Sequence, residues 1–141
     1  GYKLKILDAY ETPIDSISQI KNHPSLKELN ISETLIKNIE FIKSLVHLEE
    51  LNISKTPITS ISQIKNHPNL EELNLSYTNI SSIKDVMTLS KLKYINIKKT
   101  SIKNLKPLLS CPKLKRIILD KQIHKDFIKQ SKKDHPKIKI Y

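Results

Sequence analysis

The chain has 141 residues, a length that suits one domain. It contains no apolar run of about 18 residues, so no membrane span is expected. A single cysteine, Cys111, excludes an internal disulfide framework and favours a reducing, cytoplasmic compartment. The chain begins at Gly1 rather than Met and shows no leader with a cleavage site, which leaves a leader or a domain upstream open.

The formal net charge of +11 is unevenly distributed along the chain. Residues 1–90 carry 9 Lys and 11 Asp or Glu, whereas residues 91–141 carry 15 Lys, one Arg and 3 Asp. This asymmetry favours an acidic partner for the last third, whether nucleic acid, an anionic membrane or an acidic protein tail. The alternative is codon bias, because 24 Lys against one Arg is also what an AT-rich genome encodes. With one Arg and few aromatic residues, sequence-specific nucleic-acid recognition is not expected, although nonspecific phosphate attraction stays open.

Leucine or isoleucine recurs along the chain at a period of 22 residues. The first phased position holds Leu4, Leu26, Leu48, Leu70, Leu92 and Leu114. The second holds Leu7, Leu29, Leu51, Leu73, Ile95 and Ile117, and the third holds Ala9, Ile31, Ile53, Leu75, Ile97 and Leu119. A fixed period of about 20 to 29 residues indicates a solenoid, in which stacked units bury a shared core.

Each unit predicts a strand, a corner and a short helix, in that order. The corner holds Thr12, Thr34, Thr56, Thr78 and Thr100, whose hydroxyls we expect to donate to nearby backbone carbonyls. The helix is expected to begin at an N-cap supplied by Ser16, Asn38, Ser60, Ser82 and Asn104. Three of the helices are expected to end at Pro24, Pro68 and Pro112.

The pattern L-x-x-L-x-L-x-x-T-x-I-x-x-I-x-x-I resembles the leucine-rich repeat over about residues 4–119. It is most similar to the class found in protein phosphatase 1 regulators and bacterial internalins, although the ninth position is Thr here and usually Asn in the family. The resemblance implies an α/β leucine-rich-repeat solenoid with a concave parallel β-sheet and short convex α or 3₁₀ helices. It also implies a noncatalytic protein–protein interaction module, either alone or as the recognition domain of a larger effector protein.

The two ends of the solenoid, residues 1–119, are expected to differ. Residues 120–141 predict a cap within the same domain, with Asp120 as the N-cap of a helix over about 121–134. Its core-facing residues would be Ile123, Phe127, Ile128 and Ser131. Ile138 and Ile140 predict a closing extended segment. At the other end the chain enters the first strand directly, so the N-terminal strand edge is a candidate for association.

No pattern of catalytic, cofactor or metal-binding residues stands out. A single Gly excludes a glycine-rich phosphate loop. His23 and His67 lie two units apart, or roughly 10 Å, which is too far for one metal ion. Cys111 occupies a repeat position shared with leucines and histidines, which indicates packing rather than reactivity. An enzyme is therefore not expected.

The strand residues that alternate with the buried ones are the candidates for binding, because they line the concave face. The candidate partner-binding residues are Tyr10, Glu28, Glu50, Glu72, Asn52, Asn74, Tyr77, Tyr94, Asn96, Lys98, Lys99 and Arg116. The glutamates stand directly opposite one another, where like charges destabilise a sheet, and this favours a binding surface over a merely solvated face. The asparagines have an alternative interpretation, in which their amides bond to one another across strands and stiffen the sheet.

Overall fold

The computed structural model describes residues 6–12 and 25–141 of the chain. Within them, one parallel sheet contains seven strands whose spatial order follows the sequence. The strands are β1 (Ile6–Asp8), β2 (Glu28–Asn30), β3 (Glu50–Asn52), β4 (Glu72–Asn74), β5 (Tyr94–Asn96), β6 (Arg116–Ile118) and β7 (Lys139–Ile140). The predicted solenoid with a concave parallel sheet is confirmed.

The core lies between the sheet and the convex side, and the phased residues fill it. Leu26, Leu48 and Leu70 are at most 1% exposed, and the isoleucines on the convex side are similarly buried. Burying each such side chain contributes about 1.5 to 3 kcal/mol, and stacking the units supplies this burial. The 22-residue period therefore places equivalent residues of successive strands directly opposite one another.

The corner threonines behave as predicted. Each Thr hydroxyl donates to the backbone carbonyl three residues earlier, at 2.7 or 2.8 Å, in the pairs Thr12–Ala9, Thr34–Ile31, Thr56–Ile53, Thr78–Leu75 and Thr100–Ile97. Three of these residues, Thr34, Thr56 and Thr78, are at most 7% exposed. Thr thus satisfies a carbonyl where the chain leaves the strand.

The convex elements are short 3₁₀ helices at Glu40–Ser44, Ser62–Ile64, Lys84–Thr88 and Lys106–Ser110. The predicted capping side chains do accept from backbone amides; for example, Asn38 Oδ1 accepts from the N–H of Glu40 at 2.8 Å. However, the N-cap position belongs to the following apolar residue, such as Ile39, so the N-cap prediction was wrong by one residue. Two of the predicted positions, Ser16 and Pro24, lie outside the described residues.

The C-terminal segment differs from its prediction at the start of the helix. Helix α1 covers Lys125–Asp134 and its N-cap is His124, so Asp120 was the wrong N-cap. The Asp120 carboxylate instead accepts from the N–H of Lys99 at 2.7 Å, in the corner of the preceding unit. Because the helix begins late, Ile123 is 66% exposed and does not pack on the core as predicted.

The rest of that segment agrees with the prediction. Phe127 and Ile128 pack against the core, and Ser131 is fully buried. Ile138 is half-buried, and Ile140 lies in β7, which pairs in parallel with β6. The closing extended segment therefore continues the sheet by one strand.

Candidate binding surface on the concave sheet

An acidic ladder, defined as Glu28, Glu50 and Glu72, crosses three neighbouring strands. The residues pair in register and all three are half-buried. A hydrogen bond with Glu28, partial burial and a hydrogen bond with Glu72 raise the pKa of Glu50 to about 8, and the charges of both neighbours add to this. Glu50 therefore holds a proton at neutral pH, which relieves the like-charge repulsion expected from the sequence.

The asparagines of the same face make local hydrogen bonds. Asn52 Oδ1 accepts from the N–H of Ser54 at 3.0 Å and from its hydroxyl at 2.7 Å. The same pattern recurs at Asn30 and Asn74, and Asn96 accepts from the N–H of Lys98. Among the described residues, no hydrogen bond joins neighbouring asparagines, so the cross-strand amide hypothesis was wrong. The amide nitrogens consequently remain available as donors along the face.

A groove of about 360 Å³ runs over β1 to β5. The sequence-predicted residues that line it are Glu28, Glu50, Glu72, Asn52, Asn74 and Tyr94. Asp8 and Asn30 also line it and were not among the candidates, although they occupy the same repeat position as Asn52. A smaller cavity of about 280 Å³ lies beside the groove and is lined by Tyr10, together with Glu33 and Lys55.

One rim of the face is formed by residues with left-handed backbone. This rim row consists of Glu11, Glu33, Lys55, Tyr77 and Lys99, with φ between 53° and 58°. In the rim row Lys55 Nζ lies 3.2 Å from Glu33 Oε1 and 5.6 Å from the centre of the Tyr77 ring. The neighbouring Tyr10 hydroxyl and the Lys55 ammonium lower the pKa of the Glu33 carboxyl. Tyr10 and Tyr77 thus belong to one continuous polar network.

The charge of the concave face changes from negative to positive along the solenoid. Tyr94 follows Glu72 in register, and Arg116 follows Tyr94 with its guanidinium 5.3 Å from the centre of the Tyr94 ring. On the acidic side, Lys93 Nζ lies 2.7 Å from Glu71 Oε1, and Lys27 Nζ lies 3.7 Å from Glu49 Oε2. The remaining candidates are set apart from the groove: Asn96 lies in β5, Lys98 follows that strand and Lys99 lies in the rim row.

The buried titratable groups away from this face have packing roles. Burial lowers the pKa of His67, and its Nε2 lies 2.8 Å from the carbonyl oxygen of Leu45. Burial raises the pKa of Cys111 to about 11, and its thiol donates to the carbonyl of Val86.

In residues 6–12 and 25–141, no three His, Cys, Asp or Glu residues are grouped as metal ligands. No helix in that part is long and apolar enough to cross a membrane.

Comparisons with known proteins agree with this architecture. A family model described as leucine-rich repeats in two copies matches residues 24–66 and 46–86. No curated protein sequence gives a significant match. The crystal structure of internalin C2 from Listeria monocytogenes superposes with a TM-score of 0.80 at 27% identity, over 83% of this chain and 52% of that one.

A second internalin structure from the same organism, InlF, gives a TM-score of 0.70 at 24% identity, over 82% of this chain and 41% of that one. This second likeness concerns the fold alone. The chain spans about half the length of internalin C2. The matches support a protein-interaction module. This chain is a leucine-rich-repeat protein with internalin-like repeats.

Proposed function

We propose that the chain is a noncatalytic binding module that holds a Lys- or Arg-bearing segment of a partner protein along its concave face. The observation that carries this proposal is the acidic ladder, whose middle member, Glu50, has a pKa of about 8. A Lys or Arg side chain bound over the ladder displaces the proton of Glu50. The carboxylate oxygens of the ladder then pair with the bound cation. Hydrogen bonds between charged groups are roughly twice as strong as neutral ones.

The neighbouring side chains suit an extended segment. Unbonded amide nitrogens of Asn52 and Asn74 offer donors to the carbonyl groups of a partner backbone. Tyr10, Tyr77 and Tyr94 flank the ladder, and tyrosine combines a large apolar ring with a polar tip, as interface anchors commonly do. Tyr10 and Tyr77 are about half exposed, at 48% and 50%, which leaves area to bury on binding.

The raised pKa of Glu50 makes the proposed binding depend on pH. Its facing groups are Glu28 on β2 and Glu72 on β4, and a bound cation favours the charged form of all three carboxyls. The nearby Lys93, paired with Glu71, stays charged throughout this range. Because binding expels a proton from Glu50, affinity should rise between pH 6 and pH 8 and level off above about pH 8.

The test uses a fluorescein-labelled ten-residue peptide of alternating Lys and Ser with one central Tyr, followed by fluorescence polarisation. Because the chain carries a net charge of +11, its overall charge repels this cationic probe, so nonspecific attraction cannot account for binding. The variant Glu28→Gln/Glu50→Gln/Glu72→Gln should bind about three- to a hundredfold more weakly, the range for three screened ion pairs. Because Glu50 is protonated at neutral pH, the ladder variant removes two charges. The matched control, Glu40→Gln/Asp85→Asn, removes two charges from the convex helices and should bind within about twofold of the parent.

Equal binding by the ladder variant and the parent would show that the ladder is only a solvated face. Affinity capture at two salt concentrations, followed by mass spectrometry, then identifies natural partners. The binding of these partners to the parent, the ladder variant and the control variant is compared in the same way. The likeness to about half of internalin C2 supports a role as the recognition part of a longer protein. Under that role, the partner captured should depend on the ladder residues and not on the convex control positions.

A further inference from the structure

A second surface lies at the basic end of the solenoid, away from the acidic ladder. The loop 111–115, which leads into β6, and the segment 134–138, which joins α1 to β7, enclose a pocket of about 1060 Å³. We call it the basic pocket. Its volume lies just above the usual range of ligand sites, about 300 to 1,000 Å³.

The floor of the pocket contains no Phe, Tyr or Trp, and His135 is the one aromatic ring in the lining. Its apolar lining consists of Leu109, Cys111, Pro112, Leu114, Pro136 and Ile138. Leu109 and Ile138 are half-buried, so part of their apolar surface faces the opening. Such a floor favours an aliphatic or aromatic side chain from outside over purely polar contacts.

Cations surround this floor. They are Lys93, Lys113, Lys115, Arg116, Lys137 and Lys139. Lys93 pairs with Glu71, and Arg116 stacks on Tyr94. Among the described residues, none of the other four has a carboxylate oxygen within 4.0 Å. The one acidic residue of the lining, Asp134, is engaged by the amide of Gln130 on α1.

We propose that the basic pocket binds an acidic segment of a partner protein that inserts an apolar side chain between its carboxylates. The ring of unpaired lysines supplies charge complementarity for the carboxylates, and the aliphatic floor receives the apolar group. This proposal is independent of binding at the acidic ladder, because it uses other residues and a partner of opposite charge.

The chemistry of the pocket distinguishes this occupant from other anions. Nucleic-acid sites stack bases on aromatic or Arg side chains, and here the only Arg already stacks on Tyr94. An anionic membrane presents a broad, flat surface, whereas these lysines surround a concave opening. A short acidic segment with a protruding apolar residue fits both the shape and the charge.

The test compares two fluorescein-labelled ten-residue peptides made of Asp and Glu. The first carries Leu and Phe at its two central positions, and the second carries Ser at both. The parent protein should bind the first at least about tenfold more tightly at 150 mM salt, since burying even one such side chain accounts for that ratio. Equal affinity for the two peptides overturns the proposal, because the apolar floor would then be unused. This measurement needs no variant to fold.

Two charge-matched variants locate the binding. Lys113→Gln/Lys137→Gln/Lys139→Gln should weaken binding of the first peptide by about three- to a hundredfold, the range for three screened ion pairs. Lys121→Gln/Lys129→Gln/Lys132→Gln removes the same charge outside the pocket and should weaken it by less than about threefold. Equal losses in both variants overturn the proposal in favour of general attraction. A DNA 20-mer that binds more tightly than the peptide and depends on the pocket lysines also overturns it.

Discussion

Replacing Glu50 with Gln should change how the stability of the protein depends on pH. Gln keeps the size of Glu and its capacity to bond with Glu28 and Glu72, but it cannot ionise. The pKa of Glu50 in the folded protein is about 8, well above the ordinary Glu value of about 4.3. A carboxyl whose pKa rises on folding favours the folded state at low pH, and that contribution is lost as pH rises through the folded value.

The size of the effect follows from the pKa difference and the position of the side chain. At about 1.4 kcal/mol for each pH unit, the difference corresponds to roughly 5 kcal/mol. Glu50 is only half-buried, and water screens the charges of its neighbours. We therefore expect the parent to lose about 1 to 2 kcal/mol from this ladder between pH 5 and pH 9.

Chemical denaturation at pH 5, 7 and 9 measures this loss in the free energy of unfolding. The free energy of unfolding of Glu50→Gln, relative to that of the parent, should increase by about 1 to 2 kcal/mol from pH 5 to pH 9. Glu40→Gln, on the convex side, provides the control for a change in net charge. Parallel pH profiles for Glu50→Gln and the parent would refute the shared proton in the acidic ladder.

Three further predictions address the core, the cap and the nucleic-acid alternative. Thr56→Val should lower the free energy of unfolding by about 1 to 3 kcal/mol in denaturation experiments, because the carbonyl of Ile53 loses its donor. Binding of the Lys–Ser peptide by folded Thr56→Val should not change. Ser131→Ala should raise the melting temperature, because the buried Ser131 hydroxyl has no hydrogen-bond partner and Ala is the better helix former. A mixed DNA 20-mer should not bind at 200 mM salt; affinity falling about 10³-fold between 50 and 200 mM would indicate six or more neutralised phosphates.

The repeat made the sheet and its register predictable from sequence. A constant spacing of 22 residues places Glu28, Glu50 and Glu72 opposite one another without any knowledge of side-chain geometry. The protonation of Glu50 could not be predicted in the same way, because it depends on distances between carboxyl groups and on partial burial. The residues of the ladder were therefore predictable from the sequence, whereas its charge state was not.

The asparagine hydrogen bonds could have been predicted from a signal present in the sequence. Asn and Ser recur two residues apart at Asn30–Ser32, Asn52–Ser54 and Asn74–Ser76. At this spacing the Asn side chain commonly accepts a hydrogen bond from the backbone N–H two residues later in the chain. That local bond forms without ordering a neighbouring strand, so it prevails over an amide ladder. Asp120 was misassigned for a related reason, since its carboxylate bonds with the preceding unit and not with the helix.

The rim row shows how the fold holds a binding face in place. A left-handed conformation at a non-Gly residue costs on the order of 1 kcal/mol, and nothing in the side chains of Glu33, Lys55 or Tyr77 favours it. The corner is maintained because each of these residues donates its N–H to the next unit, as Lys55 does to the carbonyl of Ser76 at 3.0 Å. Stacking thus fixes the backbone from which Glu33, Lys55 and Tyr77 project. A partner that contacts this rim meets side chains whose main chain is already ordered, which reduces the entropy lost on binding.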